Sequence, residues 1–577
     1  MRRLRVQRRG LRHPALTSRG RFRTGSPRTE RGTSEGVTGH VFVVGADLRR
    51  LVCDDVLVPT DRSLRVTAEW RQLLPGDVVS HEDADDLCLD LCWGGDERVL
   101  EVPGGRAGDP GRALWLVDTV DRRSRDADEA LRWLVDGARE ALAAVARREV
   151  PTPVQGRARR LVALPALGTG WGGAAGQRGT LLQRLLPVLR EGAAEHGLDV
   201  ALVLRGPSDL AAAQRVRRGE PDSWDLPAHL RELAEDLGER ARRGQLAAFV
   251  GAGVSAAAGL PTWEQLLDEL AGRSGLDDGL RAGLSHLPAQ DAAALLAREL
   301  GREQLEAFVE ERFGPGHYAL AHALIADLPV QEFVTTNYDP LVELAAADIG
   351  RDLSVLPFDD AVPGRPWLLK LHGDAAHPES IVLTREEYLQ FGDSRAALAG
   401  VLHSLLLTRH VLFVGTSMQD DDLIRIAHQV RSAIQARGAA PRRRSGTVLA
   451  LREDPSRARL WEQDVQTVAI APADTPSAEA ARLLEVLLDC IGCLSTPPTG
   501  YLLDPAYRGM LSAEERTLAD ALEQVAGVVP EGASSSAVEE VAALLRRLGS
   551  RGAAAGGPPP DEASAPRDDR LQQQRPG

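Results

Sequence analysis

Lysine is almost missing from this sequence. Lys370 is the only one among 69 basic residues, and arginine supplies every other fixed positive charge. We interpret this imbalance as a coding bias, which leaves Lys370 conspicuous. Cysteine is scarce as well, and five scattered thiols are too few for a disulfide framework. Because Cys88 and Cys92 lie far along the chain from Cys490 and Cys493, we expect no zinc site and no other bound metal.

A long apolar run is missing too. No stretch of about 18 uninterrupted apolar residues occurs, so no membrane span is predicted. The first residues carry positive charge without an apolar segment behind them, which argues against a secretory signal. The formal net charge of −14 argues against nucleic-acid binding, which needs a basic surface. We therefore expect a cytoplasmic protein without a membrane or nucleic-acid partner.

The length of 577 residues exceeds what one core supports and predicts about three or four structural units. The arginine-rich start and the Gly/Pro/Ala-rich end lack hydrophobic periodicity and are predicted to be disordered. The predicted order is a leader (1–38), a first α/β domain (40–207), a helical linker (208–243), a second α/β domain (244–495), a small helical appendage (500–548) and a tail (549–577).

Apolar runs predict the strands of both α/β domains. In the first domain they cover 41–46, 55–59, 86–93, 113–120, 160–167 and 199–204. In the second domain they cover 246–251, 331–336, 368–373, 410–416, 446–451 and 466–471. Helical patterns lie between them, with a helical insertion at 263–327. This alternation predicts parallel sheets covered by helices.

Four predicted strands of the second domain turn polar where they end. In a parallel sheet, the carboxyl ends of the strands form the edge at which ligands bind. A glycine turn between a strand and a helix can also bring backbone N–H groups close to a phosphate. The residues at this edge are Gly251, Ala252, Gly253 and Ser255 after the first strand, Thr336, Asn337 and Asp339 after the second, His372 after the third, and Gly415 and Ser417 after the fourth.

Each of these features also has a purely structural interpretation. Asn337 and Asp339 belong to residue types that cap helices. His372 fits a hydrogen-bonded core histidine, and the aspartates 420–422 fit a solvated helix start favoured by the helix dipole. Taken together at one edge of one sheet, these features favour a nucleotide site.

The motifs GAGVSAAAGLPTW, TTNYD, KLHGD and VGTSMQDDD, in this order, resemble the sirtuin-like domain of bacterial NAD-cleaving defence proteins over roughly residues 244–495. The resemblance implies a Rossmann-like parallel sheet with a helical insertion, NAD⁺ as substrate, antiphage defence by NAD depletion, and a homo-oligomer. It implies that Asn337 and His372 are catalytic, with His372 as the base. The NAD-binding residues that it implies are Gly251, Ala252, Gly253 and Ser255 at the diphosphate, Asp339 with Asn337 at the nicotinamide ribose, Thr336 beside them, and Gly415 and Ser417 at the adenosine-side ribose.

Two departures separate the chain from protein-deacylating sirtuins. Residues 259–264 lack the arginine of the deacylase motif, and 244–495 lacks a four-cysteine zinc module. Both departures favour NAD⁺ hydrolysis over deacylation. Cleavage of the nicotinamide–ribose bond develops positive charge on the ribose. Asn337 can hold a water or a ribose hydroxyl, and His372 can accept a proton because imidazole titrates near neutral pH.

A second glycine turn, at 168–173, lies between a strand and a helix of the first domain. With Asp47 after the first strand, this order resembles a macro domain, the module that binds ADP-ribose, over roughly residues 40–206. The resemblance implies an α/β/α fold in which Asp47 contacts the adenine. It also implies a diphosphate loop formed by Gly168, Thr169, Gly170 and Gly172. Two asparagines usual in macro domains are replaced here, so we expect ligand binding rather than removal of ADP-ribose. The alternative is a structural α/β module with a tight turn.

These patterns together predict an NAD⁺ hydrolase that releases nicotinamide and ADP-ribose. The macro-like first domain is predicted to sense or bind a nucleotide such as ADP-ribose. Two alternatives stay open: a non-catalytic regulator that binds NAD or ADP-ribose, and a sirtuin-type protein deacylase or ADP-ribosyltransferase. The products formed from NAD⁺ distinguish them.

Overall fold

The computed structural model describes residues 38–83, 86–103, 112–121, 124, 126–150, 152–168, 174–220, 224–314, 316–394, 396–418, 420–435, 444–529 and 536–550. Nearly all of the predicted leader and tail lies outside these ranges. Thr169, Gly170 and Gly172 of the first domain's glycine turn also lie outside them.

The first α/β region contains a six-stranded sheet and a small antiparallel sheet. Its strands in chain order are β1 (Val41–Gly45), β2 (Asp55–Thr60), β3 (Arg65–Thr67), β4 (Val79–Glu82), β5 (Asp86–Leu89), β6 (Val99–Glu101), β7 (Ala113–Asp118), β8 (Leu161–Pro165) and β9 (Asp199–Leu204). The larger sheet, called the first sheet below, has the order β1-β9-β8-β2-β7-β6, with β6 antiparallel to β7 and the other pairs parallel. Its helices are α1 (Ala127–Arg147), α2 (Arg178–His196) and α3 (Pro207–Arg218). The run predicted at 86–93 contributes β5, which pairs with β3 and β4 in the small sheet.

The second α/β region has a seven-stranded sheet, called the second sheet below. The elements in chain order are α4 (Ala228–Arg242), β10 (Leu246–Val250), α5 (Ala252–Ala256), α6 (Trp263–Arg273), α7 (Asp278–Gly283), α8 (Ala289–Leu300), α9 (Arg302–Phe313), α10 (Leu320–Asp327), β11 (Glu332–Thr335), α11 (Leu341–Asp348), β12 (Ser354–Leu356), β13 (Trp367–Lys370), α12 (Arg385–Ser394), α13 (Ala396–Thr408), β14 (His410–Val414), α14 (Asp421–Gln435), β15 (Gly446–Arg452), α15 (Pro455–Trp461), β16 (Val465–Ala471), α16 (Ser477–Ser495), α17 (Ala513–Val528) and α18 (Ser536–Arg547). The strand order is β12-β13-β11-β10-β14-β15-β16, and every pair is parallel. The predicted α/β class with a Rossmann-like parallel sheet is thus confirmed.

The central strands of both sheets are apolar along their whole length. All five residues of β10 and all five of β14 are buried, as are those of β1 and β9. A parallel sheet covered by helices on both faces produces this continuous burial, whereas a half-exposed strand would alternate. The polar residues that follow these strands are therefore the first polar residues after each buried strand.

One apolar core joins the two sheets. Phe42 of β1, Leu324 of α10, Leu487 of α16 and Ala248 of β10 belong to the same cluster of buried side chains. The helices α4, α10 and α16 pack in this cluster, and the opposite face of the first sheet is covered by α1 and α2. Tyr507, from the segment that precedes α17, belongs to this second cluster. Helix α10 thus lies in the apolar core that the first and second sheets share.

The helical insertion starts at a well-defined cap. Thr262 accepts a hydrogen bond from the backbone N–H of Gln265, and the Gln265 side chain accepts one from the N–H of Thr262, which together form a capping box. The Thr-Trp step after the glycine turn thus begins α6. Within the residues described, no helix is long and apolar enough to cross a membrane.

Candidate active site

The turn after β10 packs directly against the turn after β14. The N–H groups of Gly251 and Gly253 donate to the carbonyl oxygens of Val414 and Gly415, each at 2.9 Å. A Cβ atom at Gly251 or Gly253 would lie 2.6 or 2.8 Å from the Gly415 oxygen, and Gly415 itself has a φ of 69°. These positions need glycine because two backbones meet there. Ala252 and Gly253 are exposed at the turn, and the diphosphate role of this turn stays a prediction.

Three predicted residues from two motifs meet at the hydroxyl group of Ser255. The hydroxyl of Ser255 donates to Oδ2 of Asp339 at 2.9 Å and accepts from Nδ2 of Asn337 at 3.0 Å. All three side chains are buried. They come from α5 and from the loop after β11, because β10 and β11 are neighbours in the second sheet. The structure thus brings these polar strand ends into direct contact.

His322 on α10 completes this cluster. Its Nε2 lies 3.2 Å from the Ser255 hydroxyl oxygen. The single proton of that hydroxyl goes to the Asp339 carboxylate, so His322 must donate through Nε2–H, which fixes its tautomer. Burial lowers the pKa of His322 to about 4, although Asp339 opposes the shift. His322 is therefore a neutral donor that holds Ser255 in place.

This cluster fixes the orientation of the Asn337 amide. Because Nδ2 donates to Ser255, the amide oxygen Oδ1 faces away from that bond. Oδ1 is buried and accepts no hydrogen bond from any residue that the structure describes. The Asn337 backbone N–H donates to the Thr335 hydroxyl at 3.0 Å, which in turn donates to the carbonyl of Val250. A buried acceptor left unused is uncommon in folded proteins, and the catalytic role of Asn337 stays a prediction.

His372 lies at the same edge, two residues after β13. Its Nε2 is 3.4 Å from Oδ2 of Asp420, and its Nδ1 is 3.5 Å from the hydroxyl of Tyr388. The imidazole is almost completely buried. A carboxylate beside an imidazole orients the ring and stabilises its protonated form. His372 thus has a carboxylate near one ring nitrogen and a phenol hydroxyl near the other, and its role as a base stays a prediction.

The other predicted residues occupy the rim of this edge. Thr336 is half-buried between Thr335 and Asn337, and Ser417 is exposed in the loop after β14. The carbonyl of Ser417 accepts from Arg457 at 3.0 Å. The roles predicted for Thr336, Gly415 and Ser417 toward NAD stay predictions.

The edge of the first sheet is built differently. Asp47 is buried, and its carboxylate accepts from the Arg49 guanidinium and from Arg205 at 3.3 Å. Burial raises the pKa of Asp47, but these arginines outweigh it and lower the pKa overall. The backbone N–H of Asp47 donates to the Tyr318 hydroxyl at 2.8 Å. Gly168 has a φ of 76° and accepts a backbone bond from Ala174, so the two ends of the predicted diphosphate loop lie close together.

The sequence patterns assign no functional role to two residues that contact these side chains. His322 lies inside a helix, far along the chain from the glycine turn. Asp420 was interpreted as a helix start, and it does accept from the N–H of Leu423 at 3.0 Å while also facing His372. A composition signal was also available: Asn337 is the only asparagine in the sequence, as Lys370 is the only lysine.

Comparison with known proteins finds similarity in the region that carries the loops after β11, β13 and β14. Residues 331–470 match the model of the SIR2-like domain family. The NAD(+) hydrolase ThsA of Cytobacillus dafuensis is 32% identical over 191 residues, which cover 32% of this chain and 38% of the relative. ThsA of Enterococcus faecium is 31% identical over 208 residues, covering 34% and 42%. Defense-associated sirtuin 2 of Bacillus subtilis is 24% identical over 216 residues, covering 35% and 20%. The chain thus spans about two fifths of the ThsA relatives.

Two solved structures overlap parts of the chain. A chain from work on the mechanism and regulation of Sir2 enzymes is 16% identical, covers 46% of this chain and 98% of its own length, and has a TM-score of 0.28. A mutant macrodomain from Oceanobacillus iheyensis with ADPR is 14% identical, covers 32% and 95%, and has a TM-score of 0.24. At such low TM-scores neither likeness bears on ligand or activity.

Proposed function

We propose that this chain hydrolyses NAD⁺ at the nicotinamide–ribose bond, giving nicotinamide and ADP-ribose, and acts in antiphage defence by depleting NAD⁺. The observation that carries the proposal is the unused buried oxygen of Asn337, whose amide nitrogen is held by Ser255, at the sheet edge that also carries the buried His372 with Asp420. The similarity of this region to NAD(+) hydrolases supports it. The proposed NAD-binding residues are Gly251, Ala252, Gly253, Ser255, Thr336, Asp339, Gly415 and Ser417.

The chemistry follows from these side chains. As the C1′–N1 bond breaks, nicotinamide leaves with the bonding electrons and the ribose becomes an oxocarbenium-like cation. Oδ1 of Asn337 accepts a hydrogen bond from water or a ribose hydroxyl without adding charge. His372 accepts the proton as water adds to C1′, and the Asp420 carboxylate stabilises the imidazolium that results. The overall reaction converts NAD⁺ and water into nicotinamide, ADP-ribose and one proton.

The test is product analysis with the purified full chain. Wild-type protein incubated with NAD⁺ is expected to release nicotinamide and free ADP-ribose in equal amounts. Asn337→Ala and His372→Ala are expected to lose at least about 100-fold in kcat. His286→Ala, which changes an exposed histidine of the helical insertion, is the matched control. Equal rates in all four proteins would overturn the proposed roles of Asn337 and His372.

The same assay separates the alternatives. A non-catalytic regulator binds NAD⁺ without nicotinamide release, and the His372→Ala variant then binds as well as wild type. A deacylase releases nicotinamide only with an acylated peptide and forms acyl-ADP-ribose. An ADP-ribosyltransferase leaves ADP-ribose on protein, which mass spectrometry detects.

We also propose that the macro-like region binds a nucleotide such as ADP-ribose and thereby controls the NAD⁺ site. Helix α10 supports this proposal because it contacts both parts. Its last residue, Asp327, accepts the N–H of Gly45 at 2.6 Å, and Tyr318, just before the helix, accepts the N–H of Asp47. His322 in the same helix holds Ser255. A ligand that displaces the loop after β1 therefore acts on the helix that positions Ser255.

Calorimetric titration with ADP-ribose tests this second part. Wild-type protein is expected to bind it, and Asp47→Asn is expected to bind at least about tenfold more weakly, the effect of one lost charge-assisted hydrogen bond. Equal binding by both proteins would exclude Asp47 as a contact. A homo-oligomer is also proposed, and light scattering of the full chain measures it.

A further inference from the structure

Lys370 lies beneath the candidate active site, between its two reactive side chains. It is the last residue of β13 and pairs in register with Thr335 at the end of the neighbouring β11. Asn337 follows Thr335 by two residues, and His372 follows Lys370 by two residues. The side chain of Lys370 is completely buried. An ammonium group is thus enclosed at the point where the two loops leave the sheet.

The Lys370 ammonium contacts both loops. It donates to the carbonyl oxygens of Tyr338 at 3.2 Å and Asp339 at 2.9 Å, in the loop that carries Asn337. It also lies 2.7 Å from Oδ2 of Asp374, in the loop that carries His372. A second carboxylate, Glu343 in the first turn of α11, is 2.7 Å away. One cation therefore joins the backbone after Asn337 to the side chain after His372.

The two carboxylates favour the charged form of Lys370. Burial alone lowers the pKa of Lys370, but the carboxylates of Glu343 and Asp374 outweigh burial and raise its pKa above the usual value. Burial also raises the pKa of Glu343 to about 7, against the opposing effect of Lys370.

Composition gives an independent reason to regard this lysine as required. Every other basic residue in the sequence is arginine. Lysine and asparagine both have codons that begin with two adenines, and each occurs once, at positions 370 and 337 of the same sheet edge. Both residue types thus occur only at this sheet edge despite the bias against them. A planar, five-donor guanidinium cannot reproduce a compact ammonium in a fully enclosed pocket.

We propose that Lys370 is a positioning residue for NAD⁺ cleavage, whose buried ammonium ties the Asn337 loop (336–340) to the His372 loop (371–376) and so sets the geometry between Asn337 and His372. This inference rests on the proposed function. Lys370 does not touch the substrate, and its effect runs through the carbonyls of Tyr338 and Asp339 and the carboxylate of Asp374.

The test compares kcat and KM with hydrogen exchange of the two loops in the full chain. Lys370→Met is expected to lower kcat by about 10- to 100-fold with KM within about threefold, because a misplacement of about 1 Å costs rates of this size. Lys370→Arg is expected to lower kcat by the same factor. Backbone amides of 336–340 and 371–376 are expected to exchange faster in both variants. Arg160→Met is the control, since it breaks another buried ion pair, with Asp55 in the first sheet.

A further variant covers the case in which Lys370→Met does not fold. Lys370→Met/Glu343→Gln/Asp374→Asn removes all three charges together, so that no uncompensated buried charge remains, yet the two carbonyls still lose their donor. It is expected to fold and to show the same loss of kcat. An unchanged kcat with unchanged loop exchange in this variant, or a loss in Arg160→Met as large as in Lys370→Met, would overturn the positioning role.

Failure of this inference is distinguishable from failure of the proposed function. If wild-type protein releases no nicotinamide, NAD⁺ hydrolysis is wrong, and the exchange data alone decide whether Lys370 ties the loops. If wild-type protein is active and Lys370→Arg keeps full kcat, hydrolysis stands and the requirement for an ammonium is wrong.

Discussion

The two large sheets place a polar residue at the same position after one of their parallel strands, but the two residues have different surroundings. Asp47 follows the end of β1 by two residues, and Asn337 follows the end of β11 by two residues. Both carboxylate oxygens of Asp47 are bonded to arginine, whereas Asn337 uses its amide nitrogen and leaves its oxygen without a partner among the described residues. The two residues thus differ in how much of their hydrogen-bonding capacity is used, which sequence alone does not report.

The largest expected effect comes from changing the amide at the second sheet's edge to a carboxylate. Asn337→Asp is expected to lower kcat for NAD⁺ cleavage by about 100-fold or more, because the donor to Ser255 is lost and a second carboxylate is placed beside Asp339. Nicotinamide release measures it. Gln214→Glu is the matched change of a buried amide on α3, which donates to the carbonyl of Val43 in the first sheet. It is expected to lower stability and to keep kcat within about threefold. Comparable kcat losses would mean that Asn337 matters no more to catalysis than another buried amide does.

The neutral histidine of the cluster predicts a pH effect. The pKa of His322 is lowered from 6.5 to about 4 by burial, so the unfolded chain takes up the proton first as the pH falls. The stability that the neutral His322 contributes is therefore fully present above pH 6.5 and is lost as the pH falls from 6.5 to 4. The stability advantage of wild type over His322→Gln is expected to shrink by up to about 3 kcal/mol across this range. Denaturant unfolding at several pH values measures it, and a pH-independent difference would show that His322 is not held neutral.

The glycine turns offer a test of packing. Gly253→Ala is expected to destabilise the fold by about 1–3 kcal/mol, because the new Cβ atom meets the Gly415 oxygen at 2.8 Å. Gly176→Ala, in the corresponding connection of the first sheet between β8 and α2, places its Cβ where no atom lies within 4 Å. It is expected to be neutral or slightly stabilising. Thermal denaturation of both variants measures the difference, and equal melting temperatures would contradict the contact between the two turns.

The smallest expected effect concerns the hydroxyl of Tyr318, which contacts the loop after β1. Tyr318→Phe removes the hydroxyl that accepts from the N–H of Asp47 and donates to Asp348 at 2.9 Å. We expect a loss of about 1 kcal/mol in the free energy of unfolding. Tyr501→Phe is the control, since the buried Tyr501 hydroxyl has no hydrogen-bond partner in the part of the chain that the structure describes. A loss as large in the control would assign the effect to packing.

Sequence reasoning reached the strands and most of the cluster because both depend on local patterns. Apolar runs ending in polar residues predicted β10, β11, β13 and β14, and the shared edge of a parallel sheet predicted that Ser255, Asn337 and Asp339 lie together. Short edge strands such as β6 and β12 carry too few residues for a period to be visible. His322 was missed because a helix-interior histidine has no local signal that separates it from a packing residue.

The glycine turn shows a second limit. The sequence predicts a diphosphate against the backbone of Gly251 and Gly253, and this stays a prediction. The sequence does not indicate that the turn at Gly415 also lies against these two glycines, as the structure shows. That pairing depends on the strand order, which places β14 next to β10 although 159 residues separate Gly251 from His410 in the chain.

The burial of Lys370 has a chemical consequence for work with the protein. Because it is the only side-chain amine in the sequence and has no exposed surface, amine-directed labels and crosslinkers find no lysine on the folded molecule. Acylation of Lys370 then requires the interior beneath Asn337 and His372 to open. The fraction of chains labelled at this position, read by mass spectrometry, is a direct count of molecules in which the site has opened.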